Sequence, residues 1–158
     1  MSTDDAVRRL FTVEEANQRL PLVKAIVKDI VELFRDVQQR RERLASVKQL
    51  RGEGTSSSRF HSEETEQVEA EIQKDEEKLA EFVSELRALG VEFKDPVLGL
   101  VDFPAEMDGR VVHLCWKLDE PEVQFWHELN AGFSGRQLLL AESVSGESVV
   151  SKEDDSRS

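Results

Sequence analysis

A run of fifteen residues, His113-Leu-Cys-Trp-Lys-Leu-Asp-Glu-Pro-Glu-Val-Gln-Phe-Trp-His127, holds both tryptophans of the chain, its only cysteine and two of its three histidines. Elsewhere the chain is mostly Leu, Val, Glu, Lys and Arg. Chemistry that needs a thiolate, an imidazole or an aromatic wall is therefore concentrated in this run. Three kinds of site are compatible with it.

The first is a metal centre. If residues 110–116 form a strand, His113 and Cys115 share one face and Val112, Leu114 and Trp116 the other, because side chains alternate with a period of two. If a helix follows from Glu120, then Glu120, Gln124 and His127 are spaced four and three apart and share a face. A turn between the two elements would bring His113 and Cys115 opposite Glu120 and His127. Thiolate, imidazole and carboxylate are the donors that zinc and similar divalent ions take. The spacing matches no zinc signature: there is no CxxC, and Trp126-His127-Glu128 lacks the second histidine of a metalloprotease helix. The second kind is a nucleophile, Cys115 activated by His127 and oriented by Glu128 or Asp119. The third is an anion or small-molecule pocket. Gly132-Phe-Ser-Gly-Arg136 is a turn whose backbone N–H groups and guanidinium suit a carboxylate or phosphate, with Trp126 and Phe133 as an aromatic wall. Against all three stands a purely structural reading: Cys115 as a small buried residue, His127 as a hydrogen-bonded histidine near a helix end, and the tryptophans as core.

These residues need a platform, and the rest of the chain supplies one. Thr12 followed by Glu15 is a capping-box pattern, with Phe11 at the staple position before it. Ala16, Leu20, Val23, Val27, Ile30, Phe34 and Val37 then recur at alternating spacings of four and three; Arg41 interrupts the stripe and Leu44 resumes it. This predicts a helix over 13–50, on the order of 55 Å long at about 1.5 Å per residue. Pro21 inside it predicts a local irregularity near Arg19 and Leu20. The Gly/Ser loop 51–59 follows. A second helix is expected from Ser62, with stripe residues Val68, Ile72, Leu79, Phe82, Leu86 and Leu89, stopping at Gly90. A short loop between two such helices favours an antiparallel, coiled-coil-like hairpin. Charge favours the same pairing. Arg35, Arg40, Arg41, Arg43 and Lys48 would lie beside Glu63, Glu64, Glu66, Glu69 and Glu71, which selects orientation more than it stabilises.

After Gly90 the period changes to two. The runs 98–104 and 110–116 flank Met107-Asp108-Gly109, and Asp-Gly between apolar runs signals a hairpin turn. Such a hairpin is marginal alone, and the surface around Leu20, Val23, Leu86 and Leu89 is the obvious support. Pro121 starts the expected short helix, which runs to about Leu129. The fold class is thus α+β, one domain over 11–138. The helical hairpin occupies 11–90 and a cap of β-hairpin plus short helix occupies 91–138. Residues 141–158 read as a disordered acidic tail.

Three blocks resemble a known family. They are Phe11-Thr-Val-Glu-Glu-Ala-Asn17 with Leu20-Pro21; Gly99-Leu-Val-Asp-Phe-Pro104; and Leu114-Cys-Trp-Lys with Glu120-Pro-Glu-Val, continuing from Trp126-His-Glu128 to Gly132-Phe-Ser-Gly-Arg136. The pattern, spanning about 11–138, resembles the bacterial family catalogued as domain of unknown function 2203. Members of that family usually carry glycine before the Glu-Pro pair. Asp119 stands there in this chain, removing a positive-φ option or adding a carboxylate. The resemblance implies a small cytoplasmic bacterial protein and no particular reaction.

Composition excludes some partners. The 158 residues carry a formal charge of −12 with 34% charged side chains, so neither a phosphate-backbone surface nor an anionic membrane is an expected partner. A lone cysteine excludes an intrachain disulfide. No signal-peptide pattern or membrane-length apolar run is visible, so a cytoplasmic location is expected. Leu22, Ile26, Val31, Leu33 and Val83 lie outside a single seam, which predicts homo-oligomerisation through the long helices. The sequence therefore describes an oligomeric scaffold or binding module with specificity in its cap. The alternative is a zinc-type metal-binding protein or an enzyme using Cys115 and His127 with nearby carboxylates.

Overall fold

The computed structural model describes residues 9–51 and 58–139. Two long helices, α1 (Val13–Arg51) and α2 (Ser58–Ala88), precede five short strands: β1 (Glu92–Asp95), β2 (Leu100–Met107), β3 (Arg110–Lys117), β4 (Phe125–Glu128) and β5 (Gln137–Leu138). The strands form one antiparallel sheet in sequence order, β1-β2-β3-β4-β5. The architecture is α+β, as the change of period implies. The acidic tail expected over 141–158 lies outside the described residues.

The capping box forms as the sequence requires. The Thr12 N–H donates to Glu15 Oε1 at 3.1 Å, and the Glu15 N–H donates to Thr12 Oγ1 at 3.0 Å. Phe11, ahead of the cap, is buried edge-on against Phe103 with ring centroids 5.2 Å apart. Its N–H donates to the Pro104 carbonyl at 2.7 Å, which fastens the start of α1 to β2. The helix continues through Pro21, and α2 begins at Ser58, four residues before the expected cap.

Charge pairing between the helices follows the antiparallel arrangement, shifted along α2. Lys48 pairs with Glu69, while Arg40 and Arg41 reach Asp75 (2.5 Å) and Glu76 (2.7 Å). Arg41 and Asp75, which break the two apolar stripes, thus each belong to a cross-helix ion pair.

Two hydrophobic clusters result. The larger joins the base of the hairpin (Leu20, Val23, Val27, Ile30, Leu86) to one face of the sheet, where Val101, Phe103, Val112, Leu114 and Trp116 are fully buried. The smaller consists of Val37, Leu44 and Ile72 farther along the helices. Burying a side chain of this size contributes roughly 1.5–3 kcal/mol, so the sheet-bearing end dominates the packing.

The turn at Asp108-Gly109 has φ of 54° and 78°, the two positive values that a type I′ hairpin turn needs. It fixes the β2–β3 register, pairing Asp102 with Cys115 and Pro104 with His113. Gly99 also has positive φ and faces α1; a Cβ there would lie 2.8 Å from Leu118 Cβ and 3.0 Å from Val27 Cγ1. The absence of a side chain lets the start of β2 sit directly on the helix.

The short helix expected over 120–129 does not form. Residues 125–128 are a strand paired with β3, Cys115 opposite Phe125 and His113 opposite His127. The four-and-three spacing of Glu120, Gln124 and His127 was compatible with a helix, but Phe125-Trp126-His127-Glu128 also alternates, and the open edge of β3 supplies backbone partners that a two-turn helix would lack. Pro121 is accommodated in the bend before the strand. The Val123 N–H there donates to Asn17 Oδ1 at 2.7 Å, tying this connection to α1.

Candidate functional site

The face of the sheet turned away from the helices carries the unusual side chains. Register places them in two rows, Glu92–Asp102–Cys115–Phe125 and Pro104–His113–His127. Asp102, Cys115 and His127 are each at most 3% exposed. One donor atom from each, a carboxylate oxygen, Sγ and an imidazole nitrogen, lies within 4.8 Å of the other two. Three adjacent strands thus deliver three buried metal-type donors to one point.

The hydrogen bonds orient these groups. His127 Nδ1 lies 2.8 Å from the Glu128 carbonyl oxygen. A carbonyl only accepts, so Nδ1 carries the hydrogen. Nε2 then faces Asp102 Oδ1 at 3.1 Å and Oδ2 at 3.2 Å. In the neutral ring this would set a lone pair against a carboxylate. The arrangement calls for a positive charge between them, either a proton that makes the ring an imidazolium or a cation held by both groups. His113 completes the cluster, its ring edge-on to His127 at 5.4 Å. Its Nδ1 is 3.2 Å from Asp102 Oδ2, close enough for an ion pair but off the direction of a hydrogen bond, so this buried nitrogen lacks a hydrogen-bond partner. His113 Nε2 points outward, 3.6 Å from Glu92.

Electrostatics separate the acid from the thiol. Burial alone would push the Asp102 carboxyl up, but the His113 and His127 imidazoles outweigh it and hold the group below the usual carboxylate range. Burial, reinforced by the Asp102 carboxylate, pushes the Cys115 thiol up to about 12. A thiol so placed stays protonated at neutral pH and is a poor nucleophile, so the geometry gives no support to Cys115 as an attacking group. A divalent ion would invert this balance, since metal coordination deprotonates a thiol outright.

Glu120 is not part of the cluster. Its Oε1 accepts from the Lys117 N–H at 3.0 Å and from Arg136 at 2.8 Å, and its Oε2 pairs with Arg136 at 2.8 Å. Its backbone oxygen accepts from Trp116 Nε1 at 2.9 Å. Glu120 therefore clamps the turn after β3, a role that follows from sitting in a turn rather than on a helix. Asp119, at the position where glycine was expected, lacks positive φ and pairs with Lys117 at 2.7 Å.

Trp126, Phe133 and Arg136 do not converge into an anion pocket. The Arg136 guanidinium is paired with Glu120 and lies over the Phe125 and Phe133 rings at 3.9 and 4.7 Å. Trp126 is on the opposite face of β4 from His127, against the main core, with Arg110 over its ring at 5.8 Å.

Asp102 is the site residue that sequence reasoning missed. Among 33 acidic residues a single aspartate does not stand out. The signal lay in its setting, the lone charge in Leu100-Val-Asp-Phe-Pro-Ala. Counting back from a two-residue turn at Asp108-Gly109 also sets it opposite Cys115.

No helix among the described residues is long and apolar enough to cross a membrane. No curated protein and no solved structure matches the chain. A family model described as an uncharacterized conserved protein, DUF2203, matches residues 9–139, a span that takes in both helices and every strand that builds the donor cluster, and the chain accordingly belongs to the DUF2203 family.

Proposed function

We propose that the polar face of the sheet is a metal centre of the zinc type, with Asp102, His113, Cys115 and His127 as donors. In this reading the ion staples β2, β3 and β4 together and makes the cap the specificity-bearing part of a binding module. The observation that carries it is the confrontation of His127 Nε2 with both Asp102 oxygens while Nδ1 is committed to a backbone carbonyl. That is how a ligating histidine is held, its second nitrogen donating to a carbonyl or carboxylate. Glu92 beside His113 Nε2 supplies the matching outer partner for the other ring. Imidazole and thiolate together with a carboxylate favour zinc over calcium or magnesium, which take oxygen. Three buried protein donors, with the partly buried His113 beside them as the fourth, suit a closed, structural centre.

Elemental analysis of the purified chain tests this directly. About one divalent transition-metal ion per chain is expected, lost in Cys115→Ala and His127→Ala and kept in Glu120→Gln. Cobalt loading should give a sulfur-to-metal charge-transfer band in the wild type and Glu120→Gln, and none in Cys115→Ala. Metal-free protein that also gives no cobalt spectrum would sink the reading and leave a proton as the charge that His127 and Asp102 share.

We further propose that the helices associate with a second copy of the chain. Leu22 is 50% exposed on α1, and among the described residues the cluster in the outer part of the hairpin has Val37, Leu44 and Ile72 as its buried members.

A further inference from the structure

Beside the donor cluster, on the outer side of His113, the fold leaves a cleft of ≈ 820 Å³. It lies between the end of α2, β1 and the segment that leads into α1. Its polar lining includes Arg9, Arg87, Lys94, Glu92 and His113. Lys94 is paired with Glu92 at 3.1 Å. Arg9 packs over the Phe11 ring at 4.8 Å, and no carboxylate among the described residues pairs with Arg9 or Arg87. In a chain with a formal charge of −12, two guanidinium groups without a carboxylate partner among the described residues thus line one cleft. The apolar part of the lining is Val83, Phe93, Pro104, Val111 and Leu129.

The backbone holds Arg9 at this place. Gly90 has φ of 89°, and a Cβ on it would meet Arg9 Cβ and Cδ at 3.1 Å. Gly90 thus ends α2 and also leaves room for the stem of Arg9. The Phe11-to-Pro104 hydrogen bond secures the same segment two residues on. Arg87 comes from the last turn of α2, so the two cations reach the cleft from separately anchored elements.

We infer that this cleft binds a small organic anion, its carboxylate or phosphate held by Arg9 and Arg87 and its apolar body against Val83, Phe93 and Leu129. The volume falls in the range of small-molecule sites, about 300–1,000 Å³. Guanidinium forks match the oxygens of either anion, and low-dielectric walls around like charges concentrate the opposite charge. The inference does not depend on the metal centre, because none of the proposed donors is needed to hold the anion.

Calorimetric titration with octyl phosphate, octanoate, inorganic phosphate and octylamine tests it. The two amphipathic anions are expected to bind, their ratio showing which head group the cleft prefers; inorganic phosphate should bind at least about tenfold more weakly and octylamine not at all. Arg9→Gln and Arg87→Gln should each weaken octyl phosphate about tenfold, with Arg87→Lys between wild type and Arg87→Gln. Both arginines are exposed, so the variants should keep the wild-type circular dichroism. Val83→Asp, which leaves both arginines in place, should lower affinity for octyl phosphate more than for inorganic phosphate. Equal binding of octylamine, wild-type affinity in the Arg9→Gln/Arg87→Gln double variant, or no binding of either amphipathic anion would overturn the inference.

Discussion

Removing the Cys115 thiol should change how stability depends on pH, and the structure fixes the direction. In the folded, metal-free chain burial and Asp102 push this thiol from 9.0 up to about 12. Unfolding releases it to its ordinary value. Below about pH 9 the thiol is protonated in both states, and its contribution to stability is fully present. As pH rises toward 12 the unfolded chain ionises first, and the contribution is lost at about 1.4 kcal/mol per pH unit, on the order of 4 kcal/mol over the window. At pH 10 the deficit is about 1.4 kcal/mol, which corresponds to about 0.5–1.4 M in urea midpoint for a slope of ~1–3 kcal/mol/M. The chain has no tyrosine, and every other titratable side chain is common to wild type and Cys115→Ala. The assay is urea denaturation of chelator-treated wild type and Cys115→Ala from pH 8 to 10.5. The variant starts with a constant offset from the lost sulfur and should approach or overtake the wild type as pH rises. Parallel curves would refute the reasoning, because they would mean that the thiol is solvated or already ionised in the fold. Repeating the series with zinc adds a second reading: if the metal holds Cys115 as thiolate, the wild-type alkaline slope should disappear.

Two further outcomes follow from backbone geometry and from the exposed helix surface. Gly99→Ala should destabilise by about 2–4 kcal/mol, combining left-handed strain with overpacking against Leu118 and Val27, whereas Gly109→Ala, with positive φ but nothing within 4 Å of its Cβ, should lose only about 1 kcal/mol; equal losses by denaturant titration would contradict the close approach of β2 to α1. Light scattering should give a mass above the 18.0 kDa of one chain, and Leu22→Glu should lower it; a wild-type monomer would remove self-association from the proposed function.

The helices were legible because their evidence is redundant. The capping box, the stripe from Ala16 to Val37 and the glycine at 90 all agree, and α1 begins at Val13 and ends at Arg51. The hairpin was legible from Asp108-Gly109 alone. The segment after Trp116 was not, because residues 120–129 satisfy two periods at once and an open sheet edge decides between them. That error carried over to the site. Placing Glu120 on a helix made it a metal donor, whereas a tight turn from Lys117 makes it the clamp for Arg136. Cys115 and His127 still meet, with His113 edge-on to His127, since strand pairing sets His127 opposite His113 without any helix. The cleft was illegible for a different reason. Arg9 is far in sequence from Arg87 and Lys94, and all three look like ordinary members of a charged surface until the fold sets them around one cleft.

The two hydrophobic clusters meet at Leu79, which packs against both, and they are very unequal in size. The donor residues all fall between Asp102 and His127, on strands that pair with their sequence neighbours and rest on the large cluster. Among the described residues, the outer hairpin is held by Val37, Leu44 and Ile72, by the partly buried Leu33, Val68 and Leu79, and by ion pairs between exposed or half-buried side chains, which in water contribute little. The outer arm therefore has less buried apolar surface to hold it than the sheet has, and its backbone amides should exchange hydrogen faster than those of β2 and β3. Its length can also change by whole turns without moving a single donor atom. A partner that grips the arm could then order it without disturbing the chemistry at its base.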